Sequence, residues 1–173
     1  RIKSDTAPLH PLDAYPLPLD LDPLEKYEAP YLGLQYFDRE AARLFFGRTR
    51  ELLDFFGRIE NPEVRLLCLY GHSGVGKSSF LAAGVLPRLE GFRQAHYERR
   101  RKTEGLGKQL EKLQKTPKTP GKAPVYILDQ AEEMFTDPLH QKTETNDFIR
   151  TLREALRAEP TATFVLGFRS DYL

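Results

Sequence analysis

The sequence has one cysteine, almost no net charge and no long apolar run, and each shortage narrows the choice of function. A single cysteine, Cys68, excludes an internal disulfide and a cysteine-based zinc cluster. Lys and Arg number 26 against 25 for Asp and Glu, so the net charge of +1 gives no argument for nucleic acid, a membrane surface or an acidic partner. The longest apolar stretch, Phe80 to Leu86, is far shorter than the roughly 20 residues that span a bilayer, and no signal peptide opens the chain. We therefore expect a cytoplasmic protein without a membrane segment.

What remains is enough for one folded domain, since the chain has 173 residues of which 40% are hydrophobic. Six of the 13 prolines fall in the first 30 residues, where leucines follow no steady period. The chain begins at Arg1 instead of methionine, which suggests further sequence upstream. We predict a Pro-rich linker from a preceding domain over residues 1–30 and a globular core over residues 31–173.

The apolar pattern of the core predicts strands that alternate with helices. Cys68 lies in one of the apolar runs, where a small buried hydrophobe is expected. Alternating strands and helices imply an α/β fold, with a mainly parallel sheet and helices on both faces in a three-layer sandwich. The predicted strands cover residues 64–70, 92–97, 125–129 and 163–168, and the predicted helices cover 48–58, 78–86 (stopped near Pro87), 104–113 and 145–158.

A complete phosphate-binding P-loop pattern runs from Gly71 to Ser78, between a predicted strand and a predicted helix. Its glycines allow backbone N–H groups to turn toward phosphate oxygens, and the N-terminus of the next helix favours the same negative charge. Lys77 is expected to reach the β- and γ-phosphates of ATP, and the Ser78 hydroxyl to bind magnesium. The other nucleotide contacts predicted here are His72, Ser73, Gly74, Val75, Gly76 and Ser79.

Acidic residues follow the strand that ends at Asp129. This carboxylate is expected to hold magnesium as the Walker B acid, with helix capping as the alternative. Glu132 or Glu133 could activate the water that attacks the phosphate, although two glutamates at a helix start are also ordinary solvated residues. Arg169 closes the last predicted strand, where it could touch the γ-phosphate or simply lie at the surface.

The stretch from Tyr97 to Lys122 contains nine basic residues and three acidic ones. Such a run could indicate nucleic acid, but it has little aromatic interleaving. Solvated helix faces and a flexible loop explain it better, so nucleic-acid binding is not expected.

Four ordered blocks of this sequence resemble the STAND class of P-loop NTPases, and especially the novel STAND modules of bacterial conflict and signalling proteins. The resemblance runs from about Tyr31 to the end of the chain. Its blocks are Tyr31-Leu32-Gly33-Leu34 leading to Leu44-Phe45-Phe46-Gly47-Arg48, the P-loop continued by Ser79 to Pro87, Asp129-Gln130-Ala131-Glu132-Glu133-Met134-Phe135, and Phe168-Arg169-Ser170-Asp171-Tyr172.

The resemblance implies a switch in which an ADP-bound closed form gives way to an ATP-bound form that oligomerises and activates a fused effector domain. It also implies that Phe46, Gly47 and Arg48 lie near the adenine and ribose, and that Arg169 acts as the first sensor. Two departures stand out. Gln130 occupies the position where many related ATPases have a catalytic glutamate, and the final core strand, helical lid and winged-helix region would lie beyond this sequence.

Three functions follow, of which the first is preferred. It is a regulatory ATPase module that self-associates and controls fused effector and sensor domains, in bacterial signalling or antiphage defence. The second is a scaffold that holds ATP without turnover, which Gln130 keeps open. The third is a DNA-associated ATPase of the origin-recognition kind, which the near-neutral charge and the block from Asp129 to Phe135 argue against.

Overall fold

Four parallel strands form one sheet, and their order brings two predicted site segments close together. The computed structural model describes residues 11–21, 36–139 and 143–172. The strands are β1 (Leu66–Gly71), β2 (Gln94–Arg99), β3 (Pro124–Asp129) and β4 (Thr163–Arg169). Their order across the sheet is β1, β4, β3, β2, so β4 lies between the strand that precedes the P-loop and the strand that ends at Asp129.

Helices precede and connect these strands. They are α1 (Thr49–Glu60), α2 (Lys77–Ser79), α3 (Leu86–Leu89), α4 (Leu106–Gln114), α5 (Glu133–Thr136) and α6 (Glu144–Ala158). A π-helical stretch, Phe80–Val85, joins α2 to α3, and short 3-10 helices cover Pro11–Ala14, Glu40–Leu44 and Ser170–Tyr172. Among the described residues, no helix is long and apolar enough to cross a membrane.

The two faces of the sheet bury two separate hydrophobic cores, because successive side chains of a strand point to opposite faces. Tyr126, Leu128, Phe164 and Leu166 pack on one face with residues of α4 and α6. Val125, Ile127 and Val165 pack on the other face with α1 and the helix that follows the P-loop. Helices therefore cover both faces of a parallel sheet, which confirms the predicted α/β fold class.

Two local expectations were wrong. The helix after the P-loop does not stop at Pro87 but continues to Leu89. The proline lies in the first turn of α3, after the π-helical stretch, where its missing N–H is tolerated. Cys68 is exposed instead of buried, because β1 is an edge strand of the described sheet.

The described part of the Pro-rich segment packs on the domain. The ring of Tyr15 stacks on that of Phe56, with 4.3 Å between the ring centroids. Leu21 is only 3% exposed and lies with Ala42 and Ala83. The remaining residues of the predicted linker, 1–10 and 22–30, and the Tyr31–Leu34 block lie outside the described residues. The domain boundary at residue 30 stays a prediction.

Candidate nucleotide-binding site

The P-loop forms a backbone concavity between β1 and α2. Gly74 and Gly76 adopt left-handed conformations with φ of 80° and 83°, which favour glycine because it has no Cβ. The Lys77 ammonium donates hydrogen bonds to the carbonyl oxygens of Gly71 and His72, at 2.6 and 2.8 Å. The loop therefore holds the Lys77 ammonium at the start of the loop, close to the backbone N–H groups that begin the next helix.

One cavity of about 370 Å³ joins this loop to the ends of β3 and β4. It unites residues that are far apart in sequence because the carboxyl ends of parallel strands meet at one sheet edge. Most predicted phosphate, metal and catalytic residues therefore share one space. Its lining is Tyr36, Ser73, Gly74, Gly76, Lys77, Ser78, Ser79, Asp129, Gln130, Glu132 and Arg169.

Neighbouring strands hold the Asp129 carboxylate in place. Asp129 is only 1% exposed. The Tyr97 hydroxyl donates a hydrogen bond to its Oδ2 atom and the Gln130 N–H donates one to its Oδ1 atom, both at 2.9 Å. A Cβ added to Gly167 of β4 would lie 2.7 Å from Oδ1, so only glycine leaves room for this carboxylate. Burial and the adjacent carboxylate raise the pKa of Tyr97, which keeps the phenol protonated and able to donate. Asp129 is therefore clamped in one orientation.

Gln130, the residue after Asp129, has a positive φ of 59°, which is uncommon for a residue other than glycine. Its side-chain oxygen accepts a hydrogen bond from the Arg99 guanidinium, which lies over the ring of Tyr36 at 5.5 Å. The Gln130 amide is thus held by β2 at the border of the cavity.

Glu132 lines the same cavity as Asp129 and the P-loop residues. The residue is only 3% exposed, and its Oε2 atom is buried without a hydrogen-bond partner. Burial raises the pKa of Glu132, while hydrogen bonds from its own N–H and that of Arg169 act in the opposite direction. A buried carboxylate oxygen without a partner is costly to maintain, and Glu132 lies in the lining of the cavity beside Lys77 and Asp129.

The comparison with protein families supports this architecture. The family model described as Novel STAND NTPase 1 matches residues 30–173. This chain belongs to the novel STAND NTPases. The comparison with curated proteins gives no match. As a member of this family the chain is a nucleotide-binding NTPase module, and such modules usually bind a divalent metal with the nucleotide.

The two candidate catalytic glutamates of this STAND NTPase differ in position. Glu132 lines the cavity beside Lys77 and Asp129, whereas Glu133 begins α5 and does not line it. The α5 start is fixed by the Ala131 N–H, which donates to the Gly167 carbonyl oxygen at 2.8 Å. The sequence could not separate the two because they are adjacent.

Arg169 and His72 are connected through one carboxylate of the STAND module. An Asp171 oxygen accepts from the Arg169 guanidinium at 3.1 Å, and the other lies 2.9 Å from His72 Nδ1. The hydrogen bonds from His72 and Arg169 lower the pKa of Asp171. Ser170 Oγ lies 3.3 Å from the same His72 atom. The end of β4 is therefore tied to the first residue of the P-loop after Gly71.

The Phe46-Gly47-Arg48 segment reaches the P-loop through its arginine. The Arg48 guanidinium donates to the Val75 carbonyl oxygen at 2.9 Å and lies over the ring of Phe80 at 5.2 Å. The Phe46 side chain is 72% exposed and the Val75 side chain is also exposed. None of these three predicted contacts, Phe46, Gly47 and Arg48, lines the phosphate cavity. Their place in nucleotide binding stays a prediction.

The cavity fits a nucleotide phosphate and a hard divalent cation. Asp129 and Ser78 offer oxygen ligands, which magnesium prefers, and Lys77 with the P-loop amides offers positive charge for phosphate. Within the described residues, no group of three or more His, Cys, Asp and Glu side chains could hold a metal.

Sequence reasoning missed Tyr97 and Gly167, the two residues that fix the Asp129 carboxylate. For Gly167 a signal was available, since a glycine inside an apolar strand often marks the close approach of another group.

Proposed function

We propose that this STAND module binds ATP with Mg²⁺ and acts as a nucleotide-dependent switch. The supporting observation is the single cavity in which the P-loop residues Lys77 and Ser78 face Asp129, Glu132 and Arg169. Backbone N–H groups of the P-loop and the Lys77 ammonium would bind the phosphates. Ser78 and the clamped Asp129 would hold the cation. When bound, the cation would neutralise charge on the β- and γ-phosphates.

Glu132 is the proposed general base. Its side chain lines the cavity, where the carboxylate would accept a hydrogen bond from water and then its proton, while two backbone N–H groups orient it. Burial raises the pKa of Glu132, and a stronger base removes the proton more readily as long as it is ionised. Gln130 cannot take this role, because a neutral amide does not accept a proton and its oxygen is bound by Arg99.

A pair of matched substitutions tests the assignment. Glu132→Gln should lower phosphate release by roughly 10²- to 10⁴-fold, the usual contribution of a general base, while ATP still binds. Glu133→Gln should leave the rate within about twofold, the range of a surface change away from the chemistry. Equal losses in the two variants would contradict the assignment of Glu132.

Arg169 is the proposed sensor of the γ-phosphate. Its guanidinium is paired with Asp171, and both side chains are about one-third exposed, so an incoming phosphate could compete for the arginine. Because Asp171 also contacts His72 of the P-loop, release of Arg169 would alter the connection between β4 and the loop. We propose that this change favours self-association and controls a fused effector domain, in signalling or antiphage defence.

The test is a titration of the full-length protein with ATP and with ADP in the presence of Mg²⁺, measuring affinity, phosphate release and particle mass. The proposal expects ATP, but not ADP, to increase particle mass, and Lys77→Ala to abolish both binding and assembly. Near-normal ATP affinity in Lys77→Ala would refute the P-loop as the phosphate site.

A second candidate function is a scaffold that holds ATP without turnover. The Arg99 hydrogen bond favours it, because it holds an amide at the position where related ATPases have a catalytic glutamate. Tight ATP binding with no phosphate release above that of Glu132→Gln would support the scaffold over the switch.

A further inference from the structure

A second cavity, separate from the phosphate cavity, lies between the Pro-rich segment and the helices on one face of the sheet. Its volume is about 600 Å³, within the usual size of small-molecule pockets. Three arginines line it, Arg43, Arg48 and Arg88, together with aromatic and apolar side chains that include Tyr15 and Phe46. We call it the arginine cavity.

Arg88 is buried without an acidic partner. The residue is 8% exposed, its Nη1 atom donates to the Gly84 carbonyl oxygen at 2.9 Å, and its Nε atom has no hydrogen-bond partner. Among the described residues no carboxylate lies within ion-pair distance of it. A buried guanidinium that keeps its charge normally has an anion beside it, since an unpaired buried charge is strongly unfavourable. Burial also lowers the pKa of Arg88, in keeping with an uncompensated charge.

Arg43, a half-buried residue, also lines this cavity. Its Nε atom is buried and also lacks a hydrogen-bond partner. Asp13 is the only carboxylate among the described lining residues, and it is exposed to solvent. The side chains of Arg43 and Arg88 therefore line the same space, whose described lining residues carry three positive charges and one negative charge.

A nucleotide in the P-loop would not neutralise these arginines. Arg88 lies eleven residues after Lys77 on one continuous helical segment, which separates their backbones by roughly 15 Å at helical rise. Lys77 does not line the arginine cavity, and neither Arg43 nor Arg88 lines the phosphate cavity. Of the three arginines only Arg48 contacts the P-loop.

We propose that the arginine cavity binds a small organic anion, with its carboxylate or phosphate group held by Arg43 and Arg88. The aromatic and apolar lining would contact a flat or apolar body attached to that group. The wall formed by the Pro-rich segment is anchored by the stacking of Tyr15 on Phe56. The anion would be held by Arg43 and Arg88, which lie outside the P-loop and outside the predicted adenine and ribose contacts Phe46, Gly47 and Arg48 that line another part of this cavity.

Arginine side-chain NMR tests the proposal directly. The Nε–Hε signals of Arg43 and Arg88 would be assigned from Arg43→Lys and Arg88→Lys, and followed during titration of the Lys77→Ala protein, whose P-loop is silenced, with benzoate and with sulfate. Benzoate should shift both signals to saturation with one shared dissociation constant. The signal of Arg58, which is exposed and paired with Asp54, serves as the control and should barely move.

The variants separate a binding role from a structural one. Arg43→Lys keeps the charge but removes the planar donor fork, and should weaken benzoate binding by about tenfold, equivalent to roughly 1.4 kcal/mol, without lowering the melting temperature. Because Arg88 also supports the Gly84 carbonyl oxygen, Arg88→Met could unfold the helix, and the Arg43 result keeps the test decisive. Shifts of Arg43 and Arg88 no larger than those of Arg58, or unchanged affinity in Arg43→Lys, would overturn the site. Sulfate affinity equal to that of benzoate would overturn the role of the apolar lining.

Discussion

Strands β1 and β3 each carry one half of the candidate site, yet they are built differently. All six residues of β3 are buried, and its neighbours on both sides are strands of the sheet. In β1, exposed and half-buried residues alternate, and Leu66 and Tyr70 are 42% and 67% exposed. The cation side of the site therefore rests on a fully packed strand, whereas the phosphate side rests on an edge strand of the described sheet.

The difference indicates how each half keeps its geometry. Asp129 is fixed by groups from other strands, the Tyr97 hydroxyl of β2 and the space left by Gly167 of β4. The P-loop is held by the Lys77 hydrogen bonds within it and by contacts from Arg48 and Asp171, neither of which belongs to a neighbouring packed strand. Damage to the packed sheet should thus affect the cation side through long-range contacts, while β1 should tolerate change outside the loop.

The largest expected effect is a difference in the free energy of unfolding between matched substitutions in β3 and β1. Leu128→Ala in β3 removes a fully buried side chain and should lower the free energy of unfolding by about 2–5 kcal/mol. Leu66→Ala in β1 should cost less than about 1 kcal/mol, because its side chain is already partly in water. Urea unfolding of both variants checks this, and similar losses would contradict the contrast between the strands.

Tyr97→Phe should weaken the cation side without changing the phosphate side. The variant removes a hydrogen bond to a buried carboxylate, which should lower the free energy of unfolding by about 1.5–3 kcal/mol and leave Asp129 less well oriented for Mg²⁺. The readouts are the Mg²⁺ concentration that gives half-maximal nucleotide binding and direct Mn²⁺ binding by electron paramagnetic resonance. Tyr70→Phe on β1 is the control. An equal change in Mg²⁺ dependence in that variant would contradict the proposal that Tyr97 orients Asp129.

Gly167→Ala should also act through Asp129, since the new Cβ would lie 2.7 Å from the carboxylate oxygen. We expect a destabilisation of about 1–3 kcal/mol from overpacking, with a weaker Mg²⁺ dependence of nucleotide binding. Gly57→Ala on α1 is the matched control, because no atom lies within 4 Å of its added Cβ and alanine favours helix by about 0.5–1 kcal/mol. Comparable melting temperatures for the two variants would disprove the close approach.

The smallest effect concerns Cys68 on the exposed strand. Cys68→Ser should change stability by less than about 0.5 kcal/mol, and a chromogenic disulfide reagent should label the native thiol without denaturant. Partial burial raises the pKa of Cys68, so less thiolate forms at neutral pH than for an ordinary thiol. Labelling should therefore continue to accelerate with pH above the ordinary thiol pKa, where labelling of an unperturbed thiol levels off. Labelling that requires urea would mean that β1 is covered.

The sequence was informative where chemistry is local. The P-loop pattern and the apolar strand before Asp129 depend on neighbouring residues, and the family match over residues 30–173 agrees with the family predicted from them. The three-layer α/β fold also followed from strands that alternate with helices. Each of these features can be recognised within a short window of residues.

The rest depended on contacts between distant residues. The burial of Cys68 was predicted incorrectly because an apolar run does not reveal whether its strand is central or at an edge. Glu132 and Glu133 could not be separated, since a single helical step decides which one faces the P-loop. Tyr97 lies 32 positions from Asp129 in the chain, and only the pairing of β2 with β3 brings them together.

The π-helical stretch between α2 and α3 determines the direction in which Arg88 points relative to Lys77. Each residue added to or removed from a helix rotates everything after it by about 100° relative to everything before it. A one-residue deletion within Phe80–Val85 would therefore turn Arg88 away from its present direction while leaving the P-loop sequence intact. Length, and not only composition, should be constrained in this short stretch, whereas the connection over residues 115–123 has no such rotational requirement.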